Sequence, residues 1–126
     1  MKENNKGQVI LRINEMIDAM PKGSKRNGVS TFISDFNRTY RLVDMTKLHA
    51  QPNLNVDLYA SLRYQLYLVK LIRNEYKEKI GNLALHHDPQ LISYLKNYVF
   101  TKIKILEAKI KEHKKIALKL RNNNNA

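Results

Sequence analysis

The 126-residue chain contains no cysteine, which removes disulfides, thiolate zinc sites, iron-sulfur clusters and cysteine nucleophiles together. A disulfide-free chain fits the cytosol, so a cytoplasmic location is expected. Three prolines and four glycines are all that punctuate it, and it shows no strand-like alternation, glycine-rich phosphate loop or internal repeat. No run approaches about 18 uncharged apolar residues, so no membrane span is expected. The opening MKENNKGQVILRINEMIDAM breaks its apolar residues with Arg12, Asn14, Glu15 and Asp18, unlike a signal-peptide core. Acidic residues are also scarce: 11 Asp and Glu face 23 Lys and Arg, a net charge of +12. Such an excess favours polyanionic partners, nucleic acid ahead of an anionic membrane surface or an acidic protein.

What is present is helical periodicity. A hydrophobic content of 43% is enough for one compact core at this length, and a single domain is expected. Val9, Ile10, Ile13, Met16, Ile17 and Met20 recur at helical spacing, predicting an amphipathic helix over 8–20 that Pro21 ends. PKGSKRNG then reads as an exposed basic loop. Ser30 or Thr31 is the expected cap of a second helix with a core face of Phe32, Ile33, Phe36, Tyr40 and Val43; Arg38 and Arg41 point elsewhere. Residues 45–56, with Pro52 and no sustained period, read as a loop that packs Leu48 or Leu54 beneath it.

Asp57 is expected to open a third helix whose buried stripe is Leu58, Leu62, Leu66, Val69, Ile72, Tyr76 and Ile80, with Gly81 as its stop. After a short NLALHH turn, Asp88 and Pro89 form an N-cap and first-turn pair. They launch a long helix with Leu91, Leu95, Tyr98, Val99, the Lys102 stem, Ile105 and Leu106 along one side. Continued to Arg121 it spans on the order of 50 Å at 1.5 Å per residue, so its C-terminal part is expected to project, fray or pack on another molecule. The expected organisation is an all-α bundle of four to five helices: a polar segment 1–7, a bundle core 8–106, a basic helical extension 107–121 and a disordered tail 122–126.

The chemistry of this pattern lies beside the third helix's core stripe. Tyr59, Arg63, Tyr67, Lys70, Asn74 and Lys77 recur at spacings of three and four on one flank. Cations offer donors to phosphate and tyrosines offer flat faces for stacking, the pairing a nucleic-acid-tracking surface needs. The competing expectation is that the tyrosines seal the core edge while basic stems lie over apolar surface. The run KIKILEAKIKEHKKIALKLR carries Lys102, Lys104, Lys109, Lys111, Lys114, Lys115, Lys119 and Arg121 against Glu107 and Glu112. Such a basic amphipathic helix suits nucleic acid, an anionic membrane or a partner helix, and periodicity does not choose among them. His86, His87 and Asp88 are ligand types, but adjacent histidines on a turn rarely aim at one ion, so no metal and no cofactor are expected. With no nucleophile motif or carboxylate pair, no catalytic residues are expected either.

LYASLRYQLYLV at 58–69 and DPQLISYLKNYVFTKIKI at 88–105 resemble two helices of the small helical subunit of type III-A CRISPR effector (Csm) complexes. The order agrees too, with an early amphipathic helix and STFISDFNRTYRL preceding them. The resemblance implies a helical bundle without catalytic activity that stacks with copies of itself. It also implies contact with the backbone and large subunits of the complex, and a cradle for guide RNA paired with target RNA. By position it singles out Arg63, Arg73 and Lys96 as groove residues. The chain departs from the family pattern at Ser34 and Asp35, where a basic residue is usual and Arg38 and Arg41 follow a turn later. It also lacks the family's glycine in LVKLIRN and adds residues 107–126. The expected nucleic-acid set is therefore Arg38, Arg41, Tyr59, Arg63, Tyr67, Lys70, Arg73, Lys77 and Lys96, without a membrane partner. The rival expectations are a DNA-binding accessory protein of a mobile element and a basic amphipathic membrane-surface or partner adaptor.

Overall fold

The computed structural model describes residues 2–50 and 58–125, all four of whose regular elements are helices: α1 (Lys2–Ala19), α2 (Ser24–Ala50), α3 (Leu58–Ala84) and α4 (Pro89–Asn125). The all-α bundle expected from the periodicity is what forms. Cross-helix bonds give the directions. Gln65 bonds the Val43 carbonyl and Tyr76 bonds Thr39, so α2 and α3 are antiparallel. Tyr98 bonds Asn37 and Lys109 bonds Asp44, so α2 and α4 are parallel. The helices therefore alternate up and down, with α3 packed most extensively on α4, and α1 against α4 on the other side.

The core follows the predicted stripes in α1 to α3. Ile13, Ile17, Phe32, Phe36, Val43, Leu62, Val69, Ile72, Tyr76 and Ile80 are buried. Phe36 is its aromatic centre, meeting Tyr76 edge-on at 5.1 Å and Tyr98 at 5.9 Å between ring centroids. Leu58, expected in the stripe, is exposed at its helix end.

Several boundaries differ from the sequence expectation. The second helix starts at Ser24, not at Ser30 or Thr31. Val29 is fully buried, one turn ahead of Phe32. Helix is the conformation that sets Val29 on the same face, and its burial outweighs the roughly 1 kcal/mol that Gly28 costs inside a helix. The connection shrinks to residues 20–23, where Gly23 takes a φ of 154° that other residues rarely adopt. Lys25 and Arg26 thus belong to α2, and the Arg26 guanidinium reaches back to Asp18 at 3.6 Å.

At its far end α2 continues through Ala50 where a loop was expected from residue 45. The expected packing of Leu54 and the opening role of Asp57 lie outside the described residues, as does the side chain of Leu48. Gly81 does not stop α3, which passes through it to Ala84 because Leu83 still packs against the core.

Asp88 caps α4 as expected: its Oδ1 accepts from the Gln90 N–H at 2.9 Å, and Pro89 is the first helical residue. Along α4 the buried row is Leu91, Ile92, Leu95, Val99, Ile103, Leu106, Ile110 and Ala117. Ile105, expected in it, is exposed, because the spacing from Val99 through Ile110 selects Ile103. Burial at Ile110 and Ala117 also carries the packed part of α4 beyond residue 106, and the helix runs on to Asn125 where a tail was expected.

Candidate nucleic-acid interface

α3 and α4 form an antiparallel hairpin, across which Arg73 meets Glu107. Lys77 of α3 and Lys96 of α4 lie on the same side of it. Between them runs a groove of about 730 Å³ lined by Arg73, Lys77, Ile80, Gly81 and Ala84 of α3 and by Lys96, Phe100, Lys104 and Glu107 of α4. Its floor is apolar and its rims are basic. Gly81 keeps the floor open, since no atom lies within 4 Å of where its Cβ would stand. Ile80 anchors it, being almost wholly buried.

Three of the predicted residues, Arg73, Lys77 and Lys96, thus converge on one groove. Arg63, Tyr67 and Lys70 continue from Lys77 along the exposed side of α3, spanning about 21 Å at 1.5 Å per residue from Arg63 to Lys77. Tyr67 is exposed beside Tyr64, their ring centroids 6.4 Å apart, a paired aromatic face on which bases could stack. Tyr59 differs from the open flank residue expected: it packs against the core, with the Lys114 ammonium 6.0 Å over its ring.

Arg38 and Arg41 are not brought into the groove. They are exposed on α2, the helix diagonal to α4, and Arg38 pairs with Asp35 at 2.7 Å. The basic run of α4 divides in the same way. Lys102 is drawn inward, its ammonium 5.0 Å from the ring centroids of both Tyr40 and Tyr98, and Lys109 pairs with Asp44 at 3.2 Å. Lys104 lines the groove. Sequence reasoning named Lys104 only within the basic run of the last helix and missed Phe100 and Tyr64 as site residues; the signal available was Lys96, Phe100 and Lys104 at successive spacings of four.

One carboxylate interrupts the basic lining. Glu107 pairs with the Arg73 guanidinium and with Lys111, the latter at 3.6 Å. The Arg73 hydrogen bond, helped by Lys111, holds its pKa below the ordinary carboxylate value against the opposing effect of burial.

A second, smaller cleft of about 480 Å³ lies where the two turns meet, lined by Lys22, Lys25, His86, His87 and Asp88 among others. Burial, with Lys25 and His86 nearby, pushes the His87 pKa down. Among the described residues no group of three or more His, Cys, Asp or Glu is placed to hold a metal ion, and no helix is long and apolar enough to cross a membrane. Comparison of the chain with models of protein families, with curated proteins and with solved structures finds no match.

Proposed function

We propose that this chain is a non-catalytic RNA-binding subunit of a ribonucleoprotein, holding the sugar-phosphate backbone along the α3–α4 groove. The observation that carries the reading is the convergence of Lys77, Lys96 and Lys104 on one groove with an apolar floor, approached by Arg63, Tyr67 and Lys70. Cations that reach phosphates from a helical face bind without regard to base sequence, and exposed tyrosines add stacking that every base can accept. In its most specific form, taken from the resemblance of residues 58–69 and 88–105, the reading is the small subunit of a type III CRISPR effector. Copies of the chain would stack along guide RNA paired with target RNA, against the backbone and large subunits, in the cytoplasm.

The test is RNA affinity as a function of salt. Neutralising about four phosphates gives a log-log slope near −3 for single strands, and affinity should not depend on base sequence. A flat slope overturns the reading. Binding that discriminates among duplex DNA sequences would favour a DNA-binding accessory protein instead.

A further inference from the structure

Glu107 shows where an anion sits in this groove. Its two carboxylate oxygens are divided between Arg73, which reaches across from α3, and Lys111, one turn further along α4. Lys104 lines the same groove one turn before it. Two cations from two helices thus hold one carboxylate at the groove, with a third, Lys104, lining the groove beside it.

We propose that this position is a phosphate subsite of the groove, occupied in the free protein by the chain's own Glu107 carboxylate, which an incoming phosphodiester displaces. The inference rests on the groove being the RNA-binding surface and adds to it a resident competitor. The chemistry of the exchange is conservative. A phosphodiester carries one negative charge and two unesterified oxygens, so it can take the donors of Arg73 and Lys111 that the carboxylate now accepts from. Glu107 sits on a helix whose neighbours Leu106 and Ile110 are buried, so the backbone stays in place and only the side chain swings. Arg73 suits the role better than a lysine would, since its planar fork presents parallel donors to either anion. The groove cations Lys77 and Lys96 pair with no carboxylate among the described residues and are ready for phosphate without displacement.

The consequence is that free Glu107 weakens RNA binding and sets a threshold for it. The test compares full-length wild type, Glu107→Gln, Glu112→Gln and the double variant Arg73→Gln with Glu107→Gln, using fluorescence anisotropy of a labelled oligouridylate over a salt series. Glu112 is exposed and lies about 140° around α4 from Glu107 at 3.6 residues per turn, so it controls for net charge alone. Glu107→Gln is expected to tighten binding about fivefold, the size of effect that releasing one ion pair allows, with the salt slope little changed, since Arg73 takes the same phosphate in both proteins. The double variant should lose that gain. An equal gain in Glu112→Gln, or no gain in Glu107→Gln while wild type binds, overturns the subsite and leaves the groove reading standing. Absence of binding in every variant overturns both. If Glu107→Gln does not fold, Glu107→Asp, one methylene shorter, withdraws the carboxylate from Arg73 and must change affinity in the same direction.

Discussion

The side-chain amide of Gln65 donates to the Val43 carbonyl at 2.8 Å and to the Asp44 carbonyl at 3.2 Å, a buried polar clasp between α3 and α2. The other end of the same amide, Oε1, is buried without a hydrogen-bond partner. The clasp gains two bonds to carbonyls that already serve the helix and loses the hydration of an oxygen. Gln65→Met should therefore fall within about 1 kcal/mol of wild type in urea unfolding. Gln65→Glu, which turns an acceptor toward those carbonyls and buries a charge, should cost roughly 2 kcal/mol or more at neutral pH.

Gly81 offers a direct check on the course of α3. A glycine that ends a helix in a left-handed conformation resists substitution, whereas a helical glycine with open space around its Cβ does not. Gly81→Ala is expected to raise stability by up to about 1 kcal/mol, read as a higher melting temperature. A fall of that size would restore the helix stop suggested by the sequence.

Two pairs of charge reversals separate the groove from α2. Lys77→Glu with Lys96→Glu reverses both rims and should weaken RNA binding at least about tenfold at moderate salt, with a shallower salt slope. Arg38→Glu with Arg41→Glu changes the net charge by the same amount on α2 and should have a much smaller effect. Helicity by circular dichroism should be unchanged in both, since all four side chains are exposed. Equal losses would mean that bulk charge, not the groove, governs binding.

The Arg73–Glu107 pair predicts a pH dependence of stability. The folded state holds the Glu107 pKa below its ordinary value, so folding favours the ionised form. The contribution is complete above the ordinary carboxylate range and is lost as pH falls through the depressed value. Wild type should exceed Glu107→Gln by less than about 1 kcal/mol at pH 7, given the partial exposure of both partners. The difference should close as pH falls below the ordinary carboxylate range in a series of urea midpoints.

The periodicity of Leu62, Val69, Ile72, Tyr76 and Ile80 was legible because every one of those residues faces the core at helical spacing. The cap at Asp88 was legible because Asp-Pro admits few other local structures. The boundaries at Gly28 and Gly81 were misread for a common reason: a glycine acts through about 1 kcal/mol, and the packing of Val29 or Leu83 against the core offsets that. Val29, one turn before Phe32, was the overlooked sign. The site was half legible. Helical spacing put Arg63, Tyr67, Lys70 and Lys77 on one side of α3, but only the pairing with α4 brings Lys77 into one groove with Lys96 and Lys104. Arg38 and Arg41 entered the expected set by residue type and resemblance, with nothing in the sequence to place α2 against that groove.

The alternation of helix direction also fixes what an approaching polyanion meets. At the end formed by residues 20–23 and 85–88, two helices finish and two begin, so opposing macrodipole ends lie side by side and largely cancel. On the proposed reading, the backbone would therefore give a bound strand no preferred 5′-to-3′ sense. Any such sense must come from side chains, and the groove supplies an asymmetry: Lys77 and Lys96 lie toward the turn, and Glu107 lies at the far end.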